Sequence, residues 1–146
     1  MHSWRDDVSD TAQGELDRLL DSALRLSQAK LGQAAEFDPV AILMDVDGRI
    51  LEMALDTSTL GKHPDSQTLV ASATANLRQV KMSARCTALI INTRLSKERT
   101  DAVEVRLEHH DGAALVVLLR YKRATFGNRV DYGELSAFSA RPYVWA

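Results

Sequence analysis

Two Asp-Gly pairs constrain this chain more than any other feature. Asp47-Gly48 stands between the apolar runs Val40 to Val46 and Ile50 to Leu55. Asp111-Gly112 stands between a stretch alternating at Val103, Val105 and Leu107 and the unbroken apolar run Leu115 to Leu119. An Asp-Gly pair suits a two-residue turn whose central positions both need positive φ, so each pair marks a tight hairpin between antiparallel neighbours. Two such hairpins are hard to reconcile with a sheet built from βαβ crossovers, and an antiparallel sheet is expected.

Two helical stretches accompany the strands. Leu16, Leu19, Leu20, Ala23, Leu24 and Leu31 recur at helical spacing behind a capping Ser9 or Asp10, which predicts a first helix to about Ala35. Pro39 ends it. A loop over 56–66, rich in Gly, Pro, Asp, Ser and Thr, leads to a cap at Asp65 or Ser66 and a second stripe of Leu69, Val70, Ala73, Leu77 and Val80. Cys86 to Leu95 reads as a third strand, followed by a turn at 96–100. The fourth has Val103, Val105 and Leu107 on its dry face and Glu104, Arg106 and Glu108 on its wet one. The runs 40–46 and 115–119 are apolar at alternating and intervening positions alike, which suits strands covered on both faces. Placing them side by side gives one α+β domain, a five-stranded antiparallel sheet of order 2-1-5-4-3 flanked by two helices. Its expected bounds are 10–123, after a flexible N-terminus over 1–9. Gly127, Asn128, Gly133 and Pro142 break regular structure in 124–146, so that stretch is expected to be an irregular tail held on by its aromatics.

With 146 residues the chain can bury a core without a metal or a disulfide. Cys86 is the only cysteine, which fits a reducing cytoplasm and excludes zinc ribbons and thioredoxin-type chemistry. No apolar run reaches the roughly 20 residues of a membrane span, and Met1 to Asp10 lacks the apolar run of a signal peptide. His2, His63, His109 and His110 form no ligand spacing with one another or with Cys86, so no metal and no cofactor is expected. The glycines stand singly, without a phosphate-cradling motif, and Ser58, Ser66 and Ser83 lack a nucleophile-elbow context.

The order of helices and strands resembles the roadblock and profilin-like group of small α+β modules. The resemblance implies a five-stranded sheet, no catalytic activity, dimerisation, and a platform role for protein partners; where those proteins place a third helix this chain has residues 124–146. The stretch Val105-Arg-Leu-Glu-His-His-Asp-Gly-Ala-Ala-Leu-Val resembles small uncharacterised bacterial proteins, which implies no activity. Val40-Ala-Ile-Leu-Met-Asp-Val-Asp-Gly-Arg-Ile resembles the first motif of haloacid dehalogenase-type phosphatases. That likeness implies Asp45 as nucleophile and Asp47 as general acid on a Mg2+-bound phosphate, with Thr93 and Lys122 as the accompanying hydroxyl and lysine. The late acidic pair of that family is missing, since Arg120, Lys122 and Arg123 follow Leu119. Asp45 and Asp47 read equally as residues of a tight turn.

Charge is unevenly spread along the chain. Residues 1–73 hold six basic and thirteen acidic side chains, and residues 74–146 hold twelve and seven. The basic half carries two clusters, Arg78, Lys81 and Arg85 at helical spacing and Arg120, Lys122 and Arg123, with Arg129 beyond, which are the candidate binding residues. They suit an acidic protein surface, or, as the weaker option, nucleic-acid phosphates. The expected function is a cytoplasmic, non-catalytic protein-interaction or scaffold module whose partner is protein, as a homodimer, and not a membrane. A small Mg-dependent phosphate-handling enzyme centred on Asp45 and Asp47 and a nucleic-acid-binding module are the alternatives.

Overall fold

The structure is a computed structural model that describes residues 4–55, 57–127 and 129–146. Ser9 accepts the Ala12 N–H at 3.2 Å and caps helix α1, Asp10–Gln33. Ala12, Leu16, Leu19, Ala23, Ser27 and Leu31 form its buried stripe. Asp65 accepts the Thr68 N–H at 2.8 Å and caps helix α2, Ser66–Val80, whose Leu69, Ala73 and Leu77 are buried. The strands are β1 (Val40–Asp45), β2 (Ile50–Met53), β3 (Ala84–Leu95), β4 (Thr100–His109), β5 (Ala114–Arg123) and β6 (Val130–Ser139).

The chain is α+β with two helices and one open, wholly antiparallel sheet, as the Asp-Gly pairs imply. Two expectations are corrected. The sheet has six strands, because residues 130–139 are not irregular tail but a full strand paired with β5. Its order is β2-β1-β3-β4-β5-β6, so β1 pairs with β3 and not with β5. Short turns at 96–99 and 110–113 and a brief connection before β6 let each strand after α2 pair with its successor, which is the least costly closure. Only α2 makes a long connection, carrying the chain from β2 across β1 to β3.

Residues 1–3 lie outside the described part, but Trp4–Asp7 form a 3-10 turn. Arg5 reaches Asp17 at 2.8 Å, and the Gln13 side-chain amide donates to the Arg5 and Val8 carbonyls.

One core lies between α1 and the sheet. Val40, Ile42 and Met44 meet Cys86, Ala88 and Ile90, then Val103, Val105 and Leu107, then Leu115, Val117 and Leu119, all on the α1 face. The α2 face holds a smaller core of Ala41, Leu77, Leu89, Ile91 and Val144 over β1 and β3. On that side Val116 and Leu118 of β5 are only half-buried and Phe138 of β6 is exposed. The run 115–119 is therefore apolar because its second face is an open sheet surface, and not because the strand is central.

Gly48 sits at φ 84° in the first hairpin. The nearest atom to an added Cβ is Nη1 of Arg85 at 3.7 Å, so space is adequate and the penalty is one of backbone conformation. Gly48→Val should lower stability by about 1 kcal/mol or more, read as a shifted denaturation midpoint at unchanged slope.

Candidate interaction surface

The two aspartates of the phosphatase-like motif build a turn. Oδ1 of Asp45 accepts the N–H groups of Asp47 and Arg49, each at 2.9 Å, and Oδ2 accepts Nε of Arg49 at 3.1 Å. The Arg49 N–H, helped by that of Asp47 and by the guanidinium, holds the Asp45 carboxyl below its usual value against the opposing effect of desolvation. Asp45 aligns with Ala84 at one end of β3, whereas Thr93 lies nine residues along the same strand, roughly 30 Å away at about 3.3 Å per residue. Lys122 is likewise at the far end, opposite Asp131. The four residues do not converge. Asp45→Asn keeps the oxygen that accepts both backbone donors, so only a small drop in denaturation midpoint is expected, whereas Asp45→Ala should drop it further. Magnesium-dependent phosphate-ester turnover that disappeared in Asp45→Asn would contradict this.

The basic clusters are dispersed and engaged within the protein. Arg78 and Lys81 are neighbours as the spacing predicts, and they donate to the carbonyls of Tyr143 and Val144. Arg85 is not on the helix with them. It lies in β3, bonded to the Val46 carbonyl at 2.7 Å and to Glu15 at 2.8 Å. Arg120 forms a two-pronged pair with Glu98 at 2.8 and 3.0 Å. Arg123 points to the opposite face and caps α1, donating to the carbonyls of Leu31 and Ala34. Lys122 is exposed.

A buried polar group lies beneath α1. Glu15 binds Nε2 of His109 and Nη1 of Arg85, both at 2.8 Å. Burial alone would raise the Glu15 carboxyl, but the bonds from His109 and Arg85 outweigh it and hold it below its ordinary value. Cys86 is the cross-strand partner of His109, yet desolvation, and then the Glu15 charge, push its thiol up to about 12. It is no nucleophile. The Asp111 N–H occupies Nδ1 of His109 at 3.2 Å, so both ring nitrogens are in use. The rings of His109 and His110 do not diverge as strand alternation implies: their centroids are 4.6 Å apart, because His110 lies beyond the end of β4. Among the described residues no group of three or more His, Cys, Asp or Glu could hold a metal.

A cavity of about 590 Å³ opens at the far end of the sheet. Several of its polar groups are paired: Asn92 donates to the Tyr121 hydroxyl at 2.6 Å, Arg94 pairs with Asp101 at 3.1 Å, and Arg123 is held by α1.

The feature that stands out is the edge strand β6, which sequence reasoning missed. All its residues except Val130 and Ser136 are exposed, among them the large apolar side chains Tyr132, Leu135 and Phe138. The Ala140 N–H donates to the Ala114 carbonyl at 3.0 Å. In an antiparallel ladder bonded pairs alternate, so Phe138 and Ser136 also face inward and the amides of Leu135, Ala137 and Ser139 face out. A bulge precedes this row: Leu119 pairs with Leu135 but Tyr121 with Tyr132, so Gly133 and Glu134 both oppose Arg120. From Leu135 to Ser139 there is neither charge nor proline, the devices that usually protect a sheet edge. The other edge, β2, is four residues long and carries Glu52.

No family model, no curated protein and no solved structure matches this chain.

Proposed function

We propose that the chain is a non-catalytic protein-interaction module and that its partner is a second copy, joined edge to edge through β6. The observation that carries this is the unprotected run Leu135–Ser139, which presents alternate free backbone groups beside exposed Tyr132, Leu135 and Phe138. A two-fold axis across β6 would pair this row with itself, each N–H meeting a carbonyl of the copy, and would bring Leu135 on the α1 face and Phe138 on the opposite face against the copy. The half-buried Val116 and Leu118 extend the apolar surface on the face of Phe138.

The roadblock-like platform role agrees with this reading, which rests on the sheet edge and not on a shared strand order. A cytoplasmic setting is part of it, supported by a lone, buried Cys86. No helix among the described residues is long and apolar enough to cross a membrane.

Light scattering at micromolar concentration should give twice the 16.2 kDa chain mass. Ala137→Pro removes one outward N–H without touching the inward ladder, so it should yield monomer with unchanged circular dichroism. A wild-type monomer, or a dimer indifferent to Ala137→Pro, would refute the edge-to-edge interface.

A further inference from the structure

Residues 143–145 are held in an unusual way. Their three N–H groups all donate to one buried carboxylate, that of Glu108: Tyr143 at 2.9 Å, Val144 at 2.9 and 3.1 Å, and Trp145 at 3.2 Å. From the other side Arg78 and Lys81 of the last turn of α2 and its extension donate to the carbonyls of Tyr143 and Val144. One side chain is buried, Val144, against Leu77, Leu89 and Ile91. Tyr143 remains half-exposed beneath the Arg106 guanidinium, 5.8 Å from its ring centre.

Recognition therefore falls on the main chain plus the buried Val144, with Trp145 half-buried against the same cluster. Such a set of contacts suits an extended segment that offers a β-branched residue at the anchor and a large apolar one after it. The groove is also longer than the segment in it. Beyond Tyr143 it runs on between α2 and β3 for about 460 Å³, lined by Val70, Thr74, Ile91 and Thr93. The chain leaves the groove at this point, turning back towards Ala140 and β5.

We infer that Glu108, Arg78 and Lys81 form a peptide clamp, occupied in cis by residues 143–145, that accepts an extended segment of a partner protein with a valine-like anchor and further residues in the vacant half of the groove. The cis segment competes at the high effective concentration of an attached chain, so the partner peptide must either gain from the vacant half or meet a loosened segment. This site is separate from the β6 edge, and a monomeric protein would carry it unchanged.

The probe is a fluorophore-labelled peptide with the sequence of residues 140–146, titrated against the full chain and against Val144→Ala and Val144→Asp. Val144→Ala shortens the anchor but keeps every backbone contact, so it weakens the cis occupant even if Val144→Asp disturbs the fold. Saturable binding should be about tenfold or more tighter to a loosened variant than to wild type, as expected when an intramolecular competitor is removed. A probe in which aspartate replaces the anchor valine should not bind. Equal affinity for all three proteins would place the peptide elsewhere and overturn the clamp, as would no binding to a folded Val144→Ala chain. Exchange of 140–146 between two copies, seen as a dimer that dissolves in Val144→Ala, would overturn the assignment to a different partner protein.

Discussion

Replacing Glu108 with alanine should destabilise the protein by about 2–3 kcal/mol, as expected when one buried donor and two half-buried ones lose their acceptor. Three backbone N–H groups converge on this one side chain, which is 5% exposed, and no other acceptor reaches them. Once it is gone, Val144 has no reason to stay in the small core with Leu77 and Leu89, so its apolar contribution is lost as well. Glu108→Gln keeps one carbonyl oxygen but turns an N–H2 towards donors, and should fall between wild type and alanine. Urea denaturation distinguishes the three. A Glu108→Ala variant within 1 kcal/mol of wild type, as is usual for a solvated strand residue, would show that the 143–145 segment is not held as described.

Leu19→Ala should cost roughly 3 kcal/mol, within the range of about 2–5 kcal/mol for emptying a fully packed leucine site. Leu19 is 0% exposed and lies mid-stripe on α1, at the centre of its apolar contact with the sheet. The sheet below is made of small and β-branched residues, Ala88, Ile90 and Val105, fixed in register by their neighbours. They cannot move to fill the space, so a cavity should persist and the loss should exceed the bare transfer cost. Thermal and urea unfolding should agree on the value, and a loss below about 1 kcal/mol would mean that α1 packs loosely.

What could be read in the sequence is the part governed by local rules. Ser9 and Asp65 cap their helices as their side-chain chemistry dictates, and the Asp-Gly pairs do mark hairpins, but in them only Gly48 and Gly112 take positive φ; Asp47 and Asp111 do not, and each hairpin closes over three residues and not two. The rest depended on distant partners. β6 escaped notice because its bulge shifts the frame: Val130 and Tyr132 face α1 before Gly133, and Leu135 and Ala137 do so after it, so no single alternation spans the strand. Glu108 sits at a position that alternates as solvent-facing, and only a segment thirty-five residues later covers it. The strand order failed on β5, where an apolar run signals an uncovered face as readily as a buried strand. The candidate basic residues were legible as charges. Their destinations at carbonyls of the first hairpin loop, α1 and the 143–145 segment were not, because those carbonyls approach only in the folded chain.

The central claim is that the outward row of β6 pairs with its own copy, and amide hydrogen exchange reads that row directly. The N–H groups of Leu135, Ala137 and Ser139 should be protected at high protein concentration and lose protection on dilution, while those of Ser136 and Phe138, bonded inward to β5, stay protected throughout. Exchange of the three outward amides at the unprotected rate at every concentration would contradict the account.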